Sequence, residues 1–167
     1  MTHKHSDTRS ADHDHAHCIS DAIERAEQLC AREGARLTDN RRRVLGLVWQ
    51  SHAPVGAYEL LERLRKQGIR AAPPTVYRAL EFLMAHGLVH RIESRNAFVG
   101  CAQAGEAHTA QYLLCDGCGD AFEIEIGGLA RRIESRAAEL GFAIAAQTVE
   151  ARGLCRRCRQ SGRAGLA

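Results

Sequence analysis

Two Cys-x2-Cys pairs, Cys115/Cys118 and Cys155/Cys158, stand with 36 residues between them near the end of the chain, and they restrict its folding more than any other feature. Four thiolates satisfy the tetrahedral preference of Zn²⁺ and leave no coordination position open, so the pattern reads as a closed, structural zinc site. Both pairs must therefore meet in space, and the intervening segment has to loop out and return. The chain has seven cysteines, an odd number, and its N-terminus is studded with His and Asp and lacks a basic then apolar leader. That combination argues for metal ligation in a reducing compartment and against a disulfide framework, with redox chemistry as the lesser reading. The expected location is the cytoplasm, with no membrane association, because no apolar run reaches membrane length.

A second ligand set surrounds the first pair. His90, Cys101, His108 and Glu123 are each weak candidates alone, yet together they offer two imidazoles, one thiolate and one carboxylate. Such a set suits zinc better than iron or manganese. Between Cys101 and His108 the chain is rich in small residues and includes Gly105, so a hinge is expected over 102–108. An ion held by all four residues would span that joint. The expected stoichiometry is two Zn²⁺ per chain.

Charge separates the two sides of the joint. Residues 36–95 carry ten Arg and one Lys against five acidic residues, whereas 96–154 carry four Arg against eight acidic residues. The basic side is expected to meet phosphate and the acidic side to meet itself or a metal.

Along the chain, residues 1–18 hold His3, His5, His13, His15, His17 and Cys18 without apolar periodicity, and read as a disordered tail with incidental metal affinity. Apolar spacing then predicts helices over 19–33, 39–51, 56–67 and 73–86, punctuated by Gly34, Pro54, Gly56, Gly68 and Gly87. Thr38 is the expected N-cap of the second. Arg41, Arg42 and Arg43 at that helix's start oppose its macrodipole, which favours phosphate as a partner for some of them. In the fourth helix Val76, Ala79, Leu80 and Leu83 share one face, leaving Arg78 nearly opposite them. Leu88–Ser94 and Ala97–Gly100 read as two strands turning at Arg95-Asn96. Helices closed by a hairpin imply a winged-helix DNA-binding domain over 19–101. Beyond the hinge, strands over 109–114, 121–126 and 142–151 and a helix from Leu129 to Leu140 imply a small α/β unit over 109–158, followed by a tail over 159–167. The expected fold class is thus α+β.

Arg36-Leu37-Thr38 ahead of Arg41, the run Pro73-Pro74-Thr75-Val76-Tyr77-Arg78-Ala79-Leu80, the spacing from His90 to Cys101 and the two cysteine pairs resemble the ferric-uptake-regulator family, specifically its zinc-uptake-regulator branch. The resemblance covers about residues 20–158. It implies a homodimeric, zinc-dependent repressor that binds operator DNA and controls zinc uptake and homeostasis genes. It also implies that His90, Cys101, His108 and Glu123 are the sensory site and that Tyr58 and Arg78 touch DNA bases. The candidate DNA-contacting set is Tyr58, Thr75, Tyr77, Arg78 and Arg41. Asp39-Asn40 stands where relatives often have Pro-Gln. A sensor of iron, manganese or peroxide with the same fold is the nearest rival, and Cys101 as a ligand argues against it. An enzyme acting on a small-molecule substrate is not expected, since no general base accompanies the ligands; a zinc-storage role has only the His-rich tail behind it.

Overall fold

The computed structural model describes residues 15–105 and 108–162. Four helices lead: α1 His15–Arg32, α2 Asp39–Val48, α3 Ala57–Lys66 and α4 Pro73–Ala85. Each buries the stripe its sequence spacing implied: Ala22, Ala26 and Leu29 from α1, Val44 to Val48 without Gly46 from α2, Leu60, Leu61 and Leu64 from α3, and Val76, Ala79, Leu80 and Leu83 from α4. All of these side chains except Ala22 make one continuous apolar core. α4 opens on Pro73-Pro74, whose fixed φ suits the first helical turn.

α1 begins one turn earlier than the sequence suggested, so His15 to Cys18 are helical and not tail; residues 1–14 lie outside the described residues. His17 faces Asp21 across that added turn at 3.5 Å. α2 stops at Val48, three residues before the expected end, with Trp49 as its C-cap and the indole packed against the bundle core. The space it enters is left by Gly100, at which a Cβ would lie 2.2 Å from the indole.

β1 (Val89–Ile92) and β2 (Ala97–Gly100) form the antiparallel wing, with His90 opposite Val99. Its tip is a 3-10 turn, Glu93–Arg95, closed by Asn96 in the left-handed conformation (φ 46°). That tip replaces the two-residue turn expected from the sequence. Val55 pairs with Phe98 on the wing's outer edge. The α2 to α4 bundle with this wing is a winged helix.

The second sheet has the order β4-β3-β5, where β3 is Ala110–Cys115, β4 is Ala121–Glu123 and β5 is Thr148–Gly153. β3 and β4 form a hairpin across the first cysteine pair; β5 returns parallel to β3 after α5 (Leu129–Glu139). The expected strand over 121–126 stops at Glu123, since the buried Gln111 side chain takes over and its Oε1 accepts from the Ile126 N–H at 3.1 Å. The expected strand over 142–151 starts only at Thr148. A short α6, Arg156–Gln160, was not anticipated, and it carries Cys158.

The two sheets share a small second core of Ile92 and Val99 from the wing with Ala110, Tyr112, Leu114 and Ala121. The stripe of α5 finds no cover: none of its residues is buried, and Leu140 (73% exposed) and Phe142 (67%) project beyond it.

Candidate metal centres and nucleic-acid face

His90 sits on β1, Cys101 immediately follows β2, His108 lies two residues before β3, and Glu123 ends β4, so the four reach one point from both sides of the joint. Their ligand atoms all lie within 4.8 Å of one another. The two imidazoles meet through Nε2, 3.2 Å apart, and His108 Nε2 lies 3.5 Å from Cys101 Sγ and 2.9 Å from Glu123 Oε1. His90 Nε2 lies 3.8 Å from the same oxygen. With Zn–N near 2.0–2.1 Å, the edge between two nitrogen ligands of a tetrahedron is about 3.3 Å. The separations fit one tetrahedral ion.

The surroundings orient this set. The Ala102 N–H donates to Glu123 Oε2 at 3.1 Å, leaving Oε1 as the ligand oxygen. The Tyr112 ring backs His90 with centroids 6.0 Å apart. Burial pushes the Cys101 thiol up to about 12, with the Glu123 charge adding to the effect. Burial also pushes His90 below the ordinary imidazole value, against the opposing pull of Glu123, which favours its neutral, ligating form.

Cys115, Cys118, Cys155 and Cys158 make the second centre, again with all ligand atoms within 4.8 Å. The loop after β3 folds tightly: Gly119 N–H donates to Cys115 O at 3.0 Å and Cys115 N–H to Asp120 O at 2.9 Å, with Gly119 at φ 82°. α6 then delivers Cys158 from one turn beyond Cys155. Cys118 Sγ and Cys155 Sγ lie 4.0 Å apart, close to the tetrahedral edge of about 3.8 Å for Zn–S bonds of 2.3 Å. Burial opposes ionisation of Cys115, but N–H groups of Cys155, Cys118 and Gly117 outweigh it and bring the thiol down to about 6. Burial raises Cys118 and Cys158 instead.

On the helical bundle, Tyr58 (70% exposed) lies in the first turn of α3, while Thr75, Tyr77 (40% exposed) and Arg78 lie exposed on α4. Thr75, Arg78 and Arg41 line one open cleft of about 220 Å³ with Thr38 and Asn40. Arg41 has company inside the protein: its guanidinium carbon lies 3.5 Å from the Phe82 ring centroid, and it donates to Arg36 O. Arg42 pairs with Glu27, which leaves Arg43 as the exposed member of the run. Asn40, not singled out from the sequence, donates to Thr75 O at 3.1 Å and ties the start of α2 to the start of α4. The signal for it was the Asp39-Asn40 departure at a helix start.

The model of the ferric uptake regulator family matches residues 32–152. The chain is 40% identical over 137 residues to the zinc uptake regulation protein of Escherichia coli (strain K12), a span covering 81% of this chain and 80% of that protein. A zinc uptake regulator solved in complex with zinc and DNA superposes with a TM-score of 0.82 at 38% identity, covering 86% of this chain and 97% of that one. The crystal structure of holo XcZur superposes with a TM-score of 0.79 at 45% identity, covering 85% and 99%.

Proposed function

The chain belongs to the ferric uptake regulator family, and we propose that within it the protein is a zinc-responsive transcriptional repressor, binding operator DNA as a homodimer when its sensory zinc site is filled. One observation carries this reading: His90 and Cys101 from the winged helix and His108 and Glu123 from the second unit converge on a single tetrahedral point. An ion there can be held fully only while the two units keep this arrangement. It therefore stabilises that arrangement by the difference in its affinity for the two states. The likeness to a relative bound to zinc and DNA supports taking this arrangement as the one that fits DNA.

In this reading two zinc ions serve each chain. The four-cysteine ion holds the second unit together; the mixed-ligand ion is the corepressor. With four protein ligands at each site, either ion would be left without an open position for a substrate and would act by holding its ligands together. The domains are 19–101 for DNA binding, 102–108 as hinge and 109–158 for dimerisation. The uncovered apolar stripe of α5 with Leu140 and Phe142 supports a second copy as its cover. Tyr58, Thr75, Tyr77 and Arg78 face the DNA, with Arg78 as the base reader and Arg41 shared between phosphate and its Phe82 stacking. No described helix is long and apolar enough to cross a membrane, and DNA as partner supports a cytoplasmic location. The Cys101 thiolate and the 40% identity to a zinc uptake regulation protein favour zinc over iron, manganese or peroxide as the signal.

Operator affinity measured by fluorescence anisotropy, with zinc added and with zinc buffered away, tests the reading. Zinc should tighten binding in the parent chain and leave Cys101→Ser unchanged. Equal affinity with and without zinc in the parent chain rejects it.

A further inference from the structure

The wing tip makes contacts that neither metal set nor the DNA face requires. Glu150 on β5 accepts hydrogen bonds from the backbone N–H groups of Glu93 (2.7 Å) and Ser94 (3.3 Å). Beside it Arg95 reaches into the cysteine loop, donating from Nη1 to Gly119 O at 2.7 Å and from Nη2 to Cys115 O at 3.2 Å. Its Nη2 also lies 3.5 Å from Asp116 Oδ1, and its side chain is only 25% exposed. Asp116 is held in turn by Arg152 at 3.1 Å. All of these bonds are charge-assisted; those of Arg95 are also partly screened from water, which makes them stronger than exposed ion pairs, whereas those of Glu150 are exposed. They join residues 93–95 of the wing to 115–119 and 150 of the second unit.

We propose that Glu150 and Arg95 form a clasp that positions the winged helix on the second unit, and so set the affinity of the sensory site for zinc as well as the affinity for operator DNA. The proposal rests on the zinc-dependent repressor reading for its second consequence only. The first follows from the ligand set itself. Two sensory ligands lie on each side of the joint, so the site is complete only in the arrangement the clasp favours. A contact that stabilises that arrangement raises zinc affinity without touching a ligand. The clasp also explains where the Arg95 charge goes: toward three oxygens of its own chain and not toward phosphate.

The test uses the full-length chain with Glu150→Ala and Arg95→Ala, and with Arg91→Ala as a wing arginine whose bonds to Asn96 and Glu93 stay within the wing. Sensory zinc affinity is read by chelator competition with zinc alone, no DNA present. Each clasp variant should lose about tenfold in sensory affinity, ~1.4 kcal/mol. Arg91→Ala should lose none, and Glu150→Gln, which keeps an acceptor oxygen, should restore part of the loss. The four-cysteine ion and the melting temperature should stay near those of the parent. Operator affinity at fixed zinc should fall in parallel, with its salt dependence unchanged. A slope shallower by about 1 in Arg95→Ala would make the residue a phosphate ligand and overturn the proposal. Unchanged sensory zinc affinity in both variants overturns it as well, as does loss of the four-cysteine ion in both, which would make the contacts merely structural. If the parent chain bound operator equally with and without zinc, the repressor reading would fail while the zinc-affinity result still decided the clasp.

Discussion

Replacing Cys118 by Ser should unfold the second unit while leaving the winged helix intact. The magnitude follows from how little apolar core the second unit owns. Among its described residues Tyr112 and Leu114 are the large side chains that are fully buried; α5 buries none. At about 1.5–3 kcal/mol for each large side chain, these two contribute roughly 3–6 kcal/mol. Ordering the backbone costs about 1–2 kcal/mol per residue, so this core cannot hold the unit alone. Zinc in a four-thiolate site supplies on the order of 10–16 kcal/mol, much of which three thiolates forfeit. The bundle core, by contrast, holds Leu45, Leu60, Leu64, Leu80 and Leu83 together with Val44 and Val48. Circular dichroism should show the loss of α5 signal with α1 to α4 retained, and gel filtration should show a monomer. Cys101→Ser is the comparison: its thiol closes a site between units that fold without it, so a folded dimer deaf to zinc is expected. A Cys118→Ser chain that remained dimeric and still responded to zinc would refute the reasoning, because the two ions would then have exchanged roles.

Three further outcomes are expected. Arg78→Ala should keep fold and zinc content but lose about 1–3 kcal/mol of discrimination between operator and random DNA, read by competition binding; an equal loss on both would make Arg78 a phosphate contact. Gly100→Ala drives a Cβ to within 2.2 Å of the Trp49 ring, so overpacking of about 1–3 kcal/mol should lower the melting temperature and alter the fluorescence of this single Trp. Binding of the sensory ion should release the Cys101 proton at neutral pH, since burial holds that thiol up at about 12, whereas His90 is held down and arrives neutral; sensory affinity should therefore fall on acidification, measured by calorimetry in buffers of different protonation enthalpy.

The helices and the paired cysteines were legible because each leaves a local signature, whereas His90, Cys101, His108 and Glu123 are scattered, each weak alone, and come within 4.8 Å of one another only in the fold. Leu60, Leu61 and Leu64 repeat at helical spacing, and Cys-x2-Cys states its own geometry. What stayed hidden depends on distant partners. α6 has no apolar face, and its sequence Arg156-Arg157-Cys158-Arg159-Gln160 carries no periodicity to read; it forms where the loop of Cys115 to Gly119 receives Cys158. The late start of β5 follows from its register, with Thr148 opposite Ala110. The role of Glu150 needed the wing tip beside β5, a contact across 57 positions. Arg41 to Arg43 looked alike in sequence, and only packing separates Arg41 on Phe82 from Arg42 on Glu27 and exposed Arg43. The reading of residues 15–18 as tail failed for a related reason, since helical continuation there depends on the turn that follows.

The central claim is that sensory zinc and operator DNA select the same arrangement of the two units, and reciprocity tests it most directly. Zinc affinity of the mixed-ligand site is measured with and without operator, and operator affinity with and without zinc, on chains whose four-cysteine site is full. The two ratios should be equal and greater than one, as linkage requires. A zinc affinity untouched by saturating operator would contradict the claim, whatever the chain's affinity for DNA.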